Sequence, residues 1–223
     1  MEIKSQDFKI SVVGLGYVGL PLAVLFAKKF KTFGFDVNRT RVSELLKGND
    51  ETKELESRPI LNAINSGNLS FSYNQEEITN SNIYVVCVPT PVDINNSPDF
   101  TPLINASKLI GKILNKSDIV IYESTVYPGA TEEICVPVLS DESNLIFNKD
   151  FFVGYSPERI NPGDKVNTLN TIKKITSGST PETGKIVDFL YNSVIDAGTY
   201  LTSSIKIAEA AKVIENSQRD INI

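Results

Sequence analysis

With 223 residues, 41% of them hydrophobic and 22% charged, the chain is long enough to bury one large core and too apolar to remain disordered. A net charge of -5 argues against a broad electrostatic grip on nucleic acid or on an anionic membrane, which leaves small molecules as the expected partners. Histidine is absent, and Cys87 and Cys135 have no metal-ligand spacing, so no metal is expected and any proton must be moved by Glu, Asp, Lys, Tyr or Cys.

The stretch from Met1 to Lys9 is polar, and no apolar run approaches membrane-spanning length, so a cytoplasmic protein with reduced thiols is expected. A strand is predicted over residues 9–13, followed at once by Gly14-Leu15-Gly16-Tyr17-Val18-Gly19 and a helix over 18–30. A lone GxGxxG is a weak signal. Between a first strand and a first helix it marks a dinucleotide loop, with Gly14 for the tight turn, Gly16 for close approach of a pyrophosphate and Gly19 for helix packing. The amides of Tyr17 and Val18 then open the helix towards the phosphates.

The next strand, 32–35, ends at Asp36, where an acid can bind both hydroxyls of an adenine ribose and repel a 2'-phosphate. NAD is therefore the expected cofactor. Arg41 is placed against the adenine, while Arg39 keeps NADP from full exclusion. The alternative is that Asp36 begins a turn and both arginines decorate a solvated surface.

Helices over 41–47 and 60–65 lead, through the Ser-Gly-Asn turn at 66–68, to strands at 69–73 and 83–88. The latter ends in Val88-Pro89-Thr90-Pro91, either a rigid turn or a hydroxyl held near the nicotinamide. After a helix over 102–114 and a strand over 118–123 come Ser124-Thr125-Val126-Tyr127-Pro128-Gly129, hydroxyls at a strand end that often do no more than cap a helix. Elements at 131–139 (helix), 151–155 (strand), 174–177 (strand), 181–193 (helix) and 199–201 (strand) complete the alternation. Tyr155-Ser156-Pro157-Glu158-Arg159 sets an acid beside a guanidinium past a strand end.

The pattern predicts an α/β fold, a Rossmann-like doubly wound, mostly parallel sheet over residues 1–202, followed by the start of a long connecting helix over 203–223. On that helix Lys212 and Asn216 stand one turn apart. They can present a cation and an amide donor to a developing alkoxide, with Glu158 taking the proton through water. The plainer alternative is a solvated Lys212 paired with Glu209 or Glu215. Cys87 and Cys135 sit in apolar runs and read as small buried hydrophobes.

The ordered set GLGYVGLP, VPTP, YESTVYPG, YSPERINPGD and AEAAKVIENSQRD resembles the nucleotide-sugar 6-dehydrogenases, the group that includes UDP-glucose dehydrogenase, across essentially the whole chain. The resemblance implies oxidation of a sugar C6 alcohol to a carboxylate with two NAD, through adducts on a cysteine expected beyond Ile223 together with the UDP-binding domain. It implies that Thr125 and Glu158 handle water and protons and that Lys212 and Asn216 contact the reacting oxygen. Pro89, Thr90, Ser124 and Thr125 are implied on the cofactor side; Arg159, Ile160 and Asn161 join Glu158 on the substrate side.

Arg159, Ile160 and Pro162 replace the second acid and Phe-Leu of the UDP-glucose branch, which resembles instead the branch acting on UDP-N-acetylhexosamines for capsule or O-antigen polysaccharide. A UDP-sugar is then the expected substrate, and a homodimer through the central helix the expected assembly. The other readings are a UDP-glucose enzyme, a two-electron β-hydroxyacid dehydrogenase, which shares the Lys-Asn helix without the Ser-Pro-Glu-Arg motif, and a non-catalytic NAD-binding module.

Overall fold

The computed structural model describes residues 8–92, 94–95, 97–159 and 169–222. Among the described residues eight strands form one sheet: β1 (Lys9–Val13), β2 (Lys31–Phe35), β3 (Leu69–Ser72), β4 (Ile83–Val86), β5 (Ile119–Tyr122), β6 (Phe152–Tyr155), β7 (Lys174–Gly178) and β8 (Thr199–Leu201). Their spatial order is β3-β2-β1-β4-β5-β6-β7-β8. Every adjacent pair is parallel except β6 and β7.

The strands alternate between two apolar layers because successive side chains leave opposite faces of a pleated sheet. Ile10, Val12, Ile83, Val85, Ile119 and Ile121 enter one core with α1 (Gly19–Phe26), α3 (Ser57–Asn65) and α6 (Pro181–Asn192). Val13, Tyr84, Val86, Val120 and Tyr122 enter the other with α4 (Thr101–Gly111), α5 (Val136–Ser143) and the first turns of α7 (Ile205–Asn222). Each fully buried Ile or Val stabilises the sheet by about 1.5–3 kcal/mol, which makes these central strands its most durable part.

Local chemistry sets the helix ends. Asn38 caps α2 (Arg39–Leu46) by accepting from the amides of Thr40 and Arg41, and Thr180 caps α6 by accepting from Thr183, with Pro181 following. α5 closes on Asn144 in the left-handed region, φ 57°. Most element ends shift by one to three residues from expectation, and three differences go beyond that. α1 stops at Phe26 and passes into turns; the segment expected as a helix from 131 opens as a π turn, Thr131–Cys135, before α5; and a 3-10 turn at Gln75–Ile78 carries no periodic signal.

Register places the carboxyl ends of β2, β1, β4, β5 and β6 level with one another: Val13 lies beside Phe35 and Val86, and Tyr122 beside Val86 and Tyr155. The residues that follow, Asp36, Gly14, Cys87, Glu123 and Ser156, therefore share one edge. The chain winds outwards in opposite directions from β1 and β4, and the crevice at that switch point is where open α/β sheets hold ligands.

Candidate active site

A cavity of about 910 Å³ occupies the crevice, lined at one end by the glycine loop and Asp36 and at the other by Thr125 and Glu158. The three glycines of the loop have different physical reasons. Gly14 has φ +94°, and a Cβ there would lie 2.9 Å from the Cys87 carbonyl oxygen; a Cβ on Gly19 would lie 1.8 Å from the Gly14 carbonyl oxygen. A Cβ on Gly16 would meet no protein atom within 4 Å, so it faces the open side where a ligand backbone can approach. Tyr17 and Val18 line the same end, and α1 begins without a side-chain acceptor on its own amides, as suits an incoming phosphate.

Asp36 both fastens the loop and faces the cavity. Its Oδ2 accepts from the Leu15 amide at 2.8 Å and its Oδ1 from the Asn38 amide at 2.9 Å. The turn-starting role and a place on the cavity wall are thus compatible, since each carboxylate oxygen keeps a further lone pair.

Arg41 is a correction. It is buried, its Nε and Nη2 donate to the Leu15 carbonyl at 2.9 and 2.8 Å, and Nη2 pairs with Asp50 at 2.8 Å. Its guanidinium braces the glycine loop from beneath instead of lining the cavity for adenine. Arg39 stacks over the Tyr73 ring, 4.8 Å from its centroid.

The next two strand ends are clamped together. Ser124 Oγ donates to the Val88 carbonyl at 2.5 Å, and Thr90 Oγ1 donates to the Thr125 carbonyl at 2.8 Å. These hydroxyls fix the Pro89 turn against the Thr125 loop, and the helical segment after that loop has no side-chain cap, so the capping alternative fails. Pro89, Thr90, Ser124 and Thr125 all line the cavity.

At the far end Glu158 is 7% exposed and its Oε1 accepts from the Arg159 amide at 2.6 Å. Lys212 Nζ donates to the Glu158 carbonyl oxygen. The alternative of a solvated Lys212 does not hold, because the side chain is buried at 9% exposure; Glu209 accepts from the loop amides of Gly129 and Thr131, and Glu215 pairs with Arg159 at 2.7 Å. Arg159 also donates to the Lys173 carbonyl at 2.9 Å. Asn216 is half-buried one turn past Lys212. Ile160 and Asn161 lie outside the described residues.

Lys174, which the sequence pattern did not single out, completes the site. Its buried Nζ lies 2.6 Å from Glu123 Oε2 and 3.0 Å from Glu158 Oε2, and the Tyr191 hydroxyl donates to the other oxygen of Glu123. Burial works against the ammonium charge, yet the two carboxylates outweigh it and hold the Lys174 pKa above its ordinary value. Burial, resisted by Lys174, pushes Glu123 up to about 7.

Cys87 also differs from expectation, since it is only partly buried and lines the cavity. Burial and the Glu123 charge nevertheless push its thiol well above the ordinary range, and burial lifts Cys135 to about 11. Neither forms a ready thiolate.

A doubly wound sheet with a glycine loop after its first strand and an acid after its second defines a dinucleotide-binding class of domain. Residues 8–195 match the NAD binding domain of the UDP-glucose/GDP-mannose dehydrogenase family, and the chain belongs to that family. It is 59% identical over 218 residues to a UDP-N-acetyl-D-glucosamine 6-dehydrogenase of Pseudomonas aeruginosa, covering 98% of this chain and 51% of that protein. It is 54% identical over 214 residues to Protein CapL of Staphylococcus aureus, covering 96% and 50% respectively. Among solved structures, that of a UDP-D-ManNAc dehydrogenase from Pyrococcus horikoshii superposes with a TM-score of 0.90 at 30% identity, covering 97% of this chain and 51% of the other. The chain thus spans about half the length of the curated relatives it matches.

Proposed function

We propose that this chain is the cofactor-binding part of an enzyme that oxidises the C6 alcohol of a UDP-N-acetylhexosamine to the uronic acid for surface-polysaccharide biosynthesis. Overall, one alcohol, one water and two NAD+ give one carboxylate, two NADH and three protons. The observation that carries this reading is the contact of Lys212 with the Glu158 carbonyl at the end of the cavity remote from Asp36. Asp36 and Glu158 follow strands four spacings apart, or about 19 Å across the sheet, so a dinucleotide laid along the strand ends from Asp36 presents its nicotinamide beside Thr125 and Glu158.

When bound, NAD accepts the hydride from C6 in each oxidation. Lys212 stabilises the charge that develops on the C6 oxygen as hydride leaves, and Asn216 donates to the same oxygen. Glu158 accepts the proton through a water that Thr125 orients. Arg159, with Ile160 and Asn161, belongs to the substrate side. The names of the relatives at 59% and 54% identity support a hexosamine over glucose in the first case and are silent in the second.

Residues 1–202 act as the NAD-binding unit, and 203–223 begin the connecting helix. The exposed apolar side chains of α7, Ile207, Val213, Ile214 and Ile221, support pairing of two copies along that helix. Among the described residues no helix is long and apolar enough to cross a membrane, which accords with work on cytoplasmic nucleotide sugars.

The test is NADH formation by the full-length protein with UDP-N-acetylglucosamine, UDP-N-acetylgalactosamine and UDP-glucose. Two NADH per uronic acid and a kcat/KM about tenfold or more in favour of a hexosamine are expected. A preference for UDP-glucose overturns the substrate, and one NADH per substrate overturns the reaction.

A further inference from the structure

We propose that Lys174 is a positioning residue for Glu158, its ammonium holding that carboxylate ionised and turned towards the cavity while it is shared with Glu123. This rests on the reading of Glu158 as the proton acceptor.

The placement follows from the single antiparallel pair of the sheet. Tyr155 pairs with Ser177 and Gly154 with Gly178, and extending that register sets Lys174 opposite Glu158. A β7 parallel to its neighbour would have put its first residue at the opposite edge of the sheet. The reversal brings Lys174 to the edge where the cavity lies.

Glu158 is then held by a donor on each oxygen, the Arg159 amide at 2.6 Å on Oε1 and Lys174 Nζ at 3.0 Å on Oε2. Two donors from different strand ends fix both the position and the plane of the carboxylate. Packing alone gives no reason for an ion cluster here, because apolar residues of similar volume stabilise a buried site as well or better. Glu123 and Glu158 both line the cavity, so the cluster faces the ligand space and not only the core. Without the ammonium, two buried carboxylates would confront each other and one would take up a proton.

Other groups around the cluster bias it less directly. Burial first, and Glu158 as a lesser cause, raises the pKa of Cys87, which follows β4, and of Tyr17 in the glycine loop. Tyr191 of α6 donates to Glu123. Lys212 of α7 meets the Glu158 carbonyl, and Arg159 is matched by Glu215. Lys174 differs from these in being hydrogen-bonded to the Glu158 carboxylate itself.

The experiment is kcat against pH for the full-length wild type, Lys174→Met, Lys174→Arg and Glu158→Gln. Lys174→Met is expected to move the acidic limb up by about one pH unit or more, because loss of the cation favours protonated Glu158. Its kcat should fall about tenfold or more while the KM for NAD stays within about threefold, and Lys174→Arg should keep the wild-type limb. A folded Lys174→Met with unmoved limb and kcat overturns the proposal, as does a limb displaced equally by Arg and Met.

Glu158→Gln separates the two layers. Full activity in that variant overturns the role of Glu158, whereas its inactivity beside an unmoved Lys174→Met limb overturns the role of Lys174 alone. If Lys174→Met does not fold, carboxyl-carbon NMR titration of the wild type decides. Coupled stepwise titration of Glu123 and Glu158 supports the shared ammonium, and two independent single-step curves overturn it.

Discussion

Glu209, fully buried on α7, accepts a hydrogen bond from the Gly129 amide at 2.5 Å, and its second oxygen accepts from the Thr131 amide at 3.0 Å. One side chain thereby ties the loop after Thr125 to the helix that presents Lys212, and the spacing of two proposed catalytic groups depends on it. Glu209→Ala leaves two buried amides without their acceptor. We expect it to lower the unfolding free energy by about 2–4 kcal/mol in urea denaturation, as truncation of a charge-assisted pair of bonds does. A loss below about 0.5 kcal/mol, the range of an ordinary surface substitution, would refute the role.

Asp36 is expected to set cofactor preference. The chain should bind NAD at least about tenfold more tightly than NADP, and Asp36→Asn should narrow that ratio while keeping an acceptor for the Leu15 amide. Calorimetric titration of both cofactors checks this. Equal wild-type affinities would remove Asp36 from its assigned place.

Lys212→Ala in the full-length protein should reduce kcat by about a hundredfold or more and leave NAD affinity within about threefold, since the charge acts where an alkoxide develops. Normal turnover with weakened NAD binding contradicts the assignment.

Stability should fall between pH 5 and pH 7. Burial raises Asp118 from its ordinary 3.8 to about 7, so the folded state binds this proton more tightly than the unfolded chain. The stability this adds is complete below the unfolded value and is lost as pH rises through the folded one. Glu123 is raised by burial and acts in the same direction, whereas Asp50, lowered overall by its hydrogen bonds despite burial, has its window below about pH 4. Urea midpoints measured from pH 5 to pH 7.5 should correspond to a loss of about 1 kcal/mol or more, with a shallower slope in Asp118→Asn. A rising midpoint would contradict both assignments.

The 223-residue polypeptide by itself should not complete the oxidation of a UDP-hexosamine to the uronic acid. Its two thiols are both held protonated, and the second oxidation needs a covalent adduct on a reactive one. Two NADH per uronic acid from the purified chain would falsify this.

The local rules of the fold were legible in the sequence because they act over a few residues. β1 and β8 span the expected residues, since alternation and flanking turn residues bound them. Gly14 was readable because its positive φ is a property of a single residue, and Asp36 because it follows the first strand that returns beside β1. Arg41 shows where such reading stops. Its charge was visible, but whether a guanidinium faces a ligand or braces a loop depends on Asp50, which pattern and spacing do not bring near it.

Sequence periodicity determined that this chain is a doubly wound α/β domain, and the glycine loop between its first strand and first helix marked it as the NAD-binding domain that the family match shows. Tertiary structure alone decided what surrounds the end of the cavity at Glu158. Glu123, Glu158, Lys174 and Tyr191 come from four separate segments, and only the reversed direction of β7 and the packing of α6 bring them together. Apolar periodicity records which face of an element is buried; it carries no term for which buried charge meets which, because that is settled by strand order and register across the whole sheet.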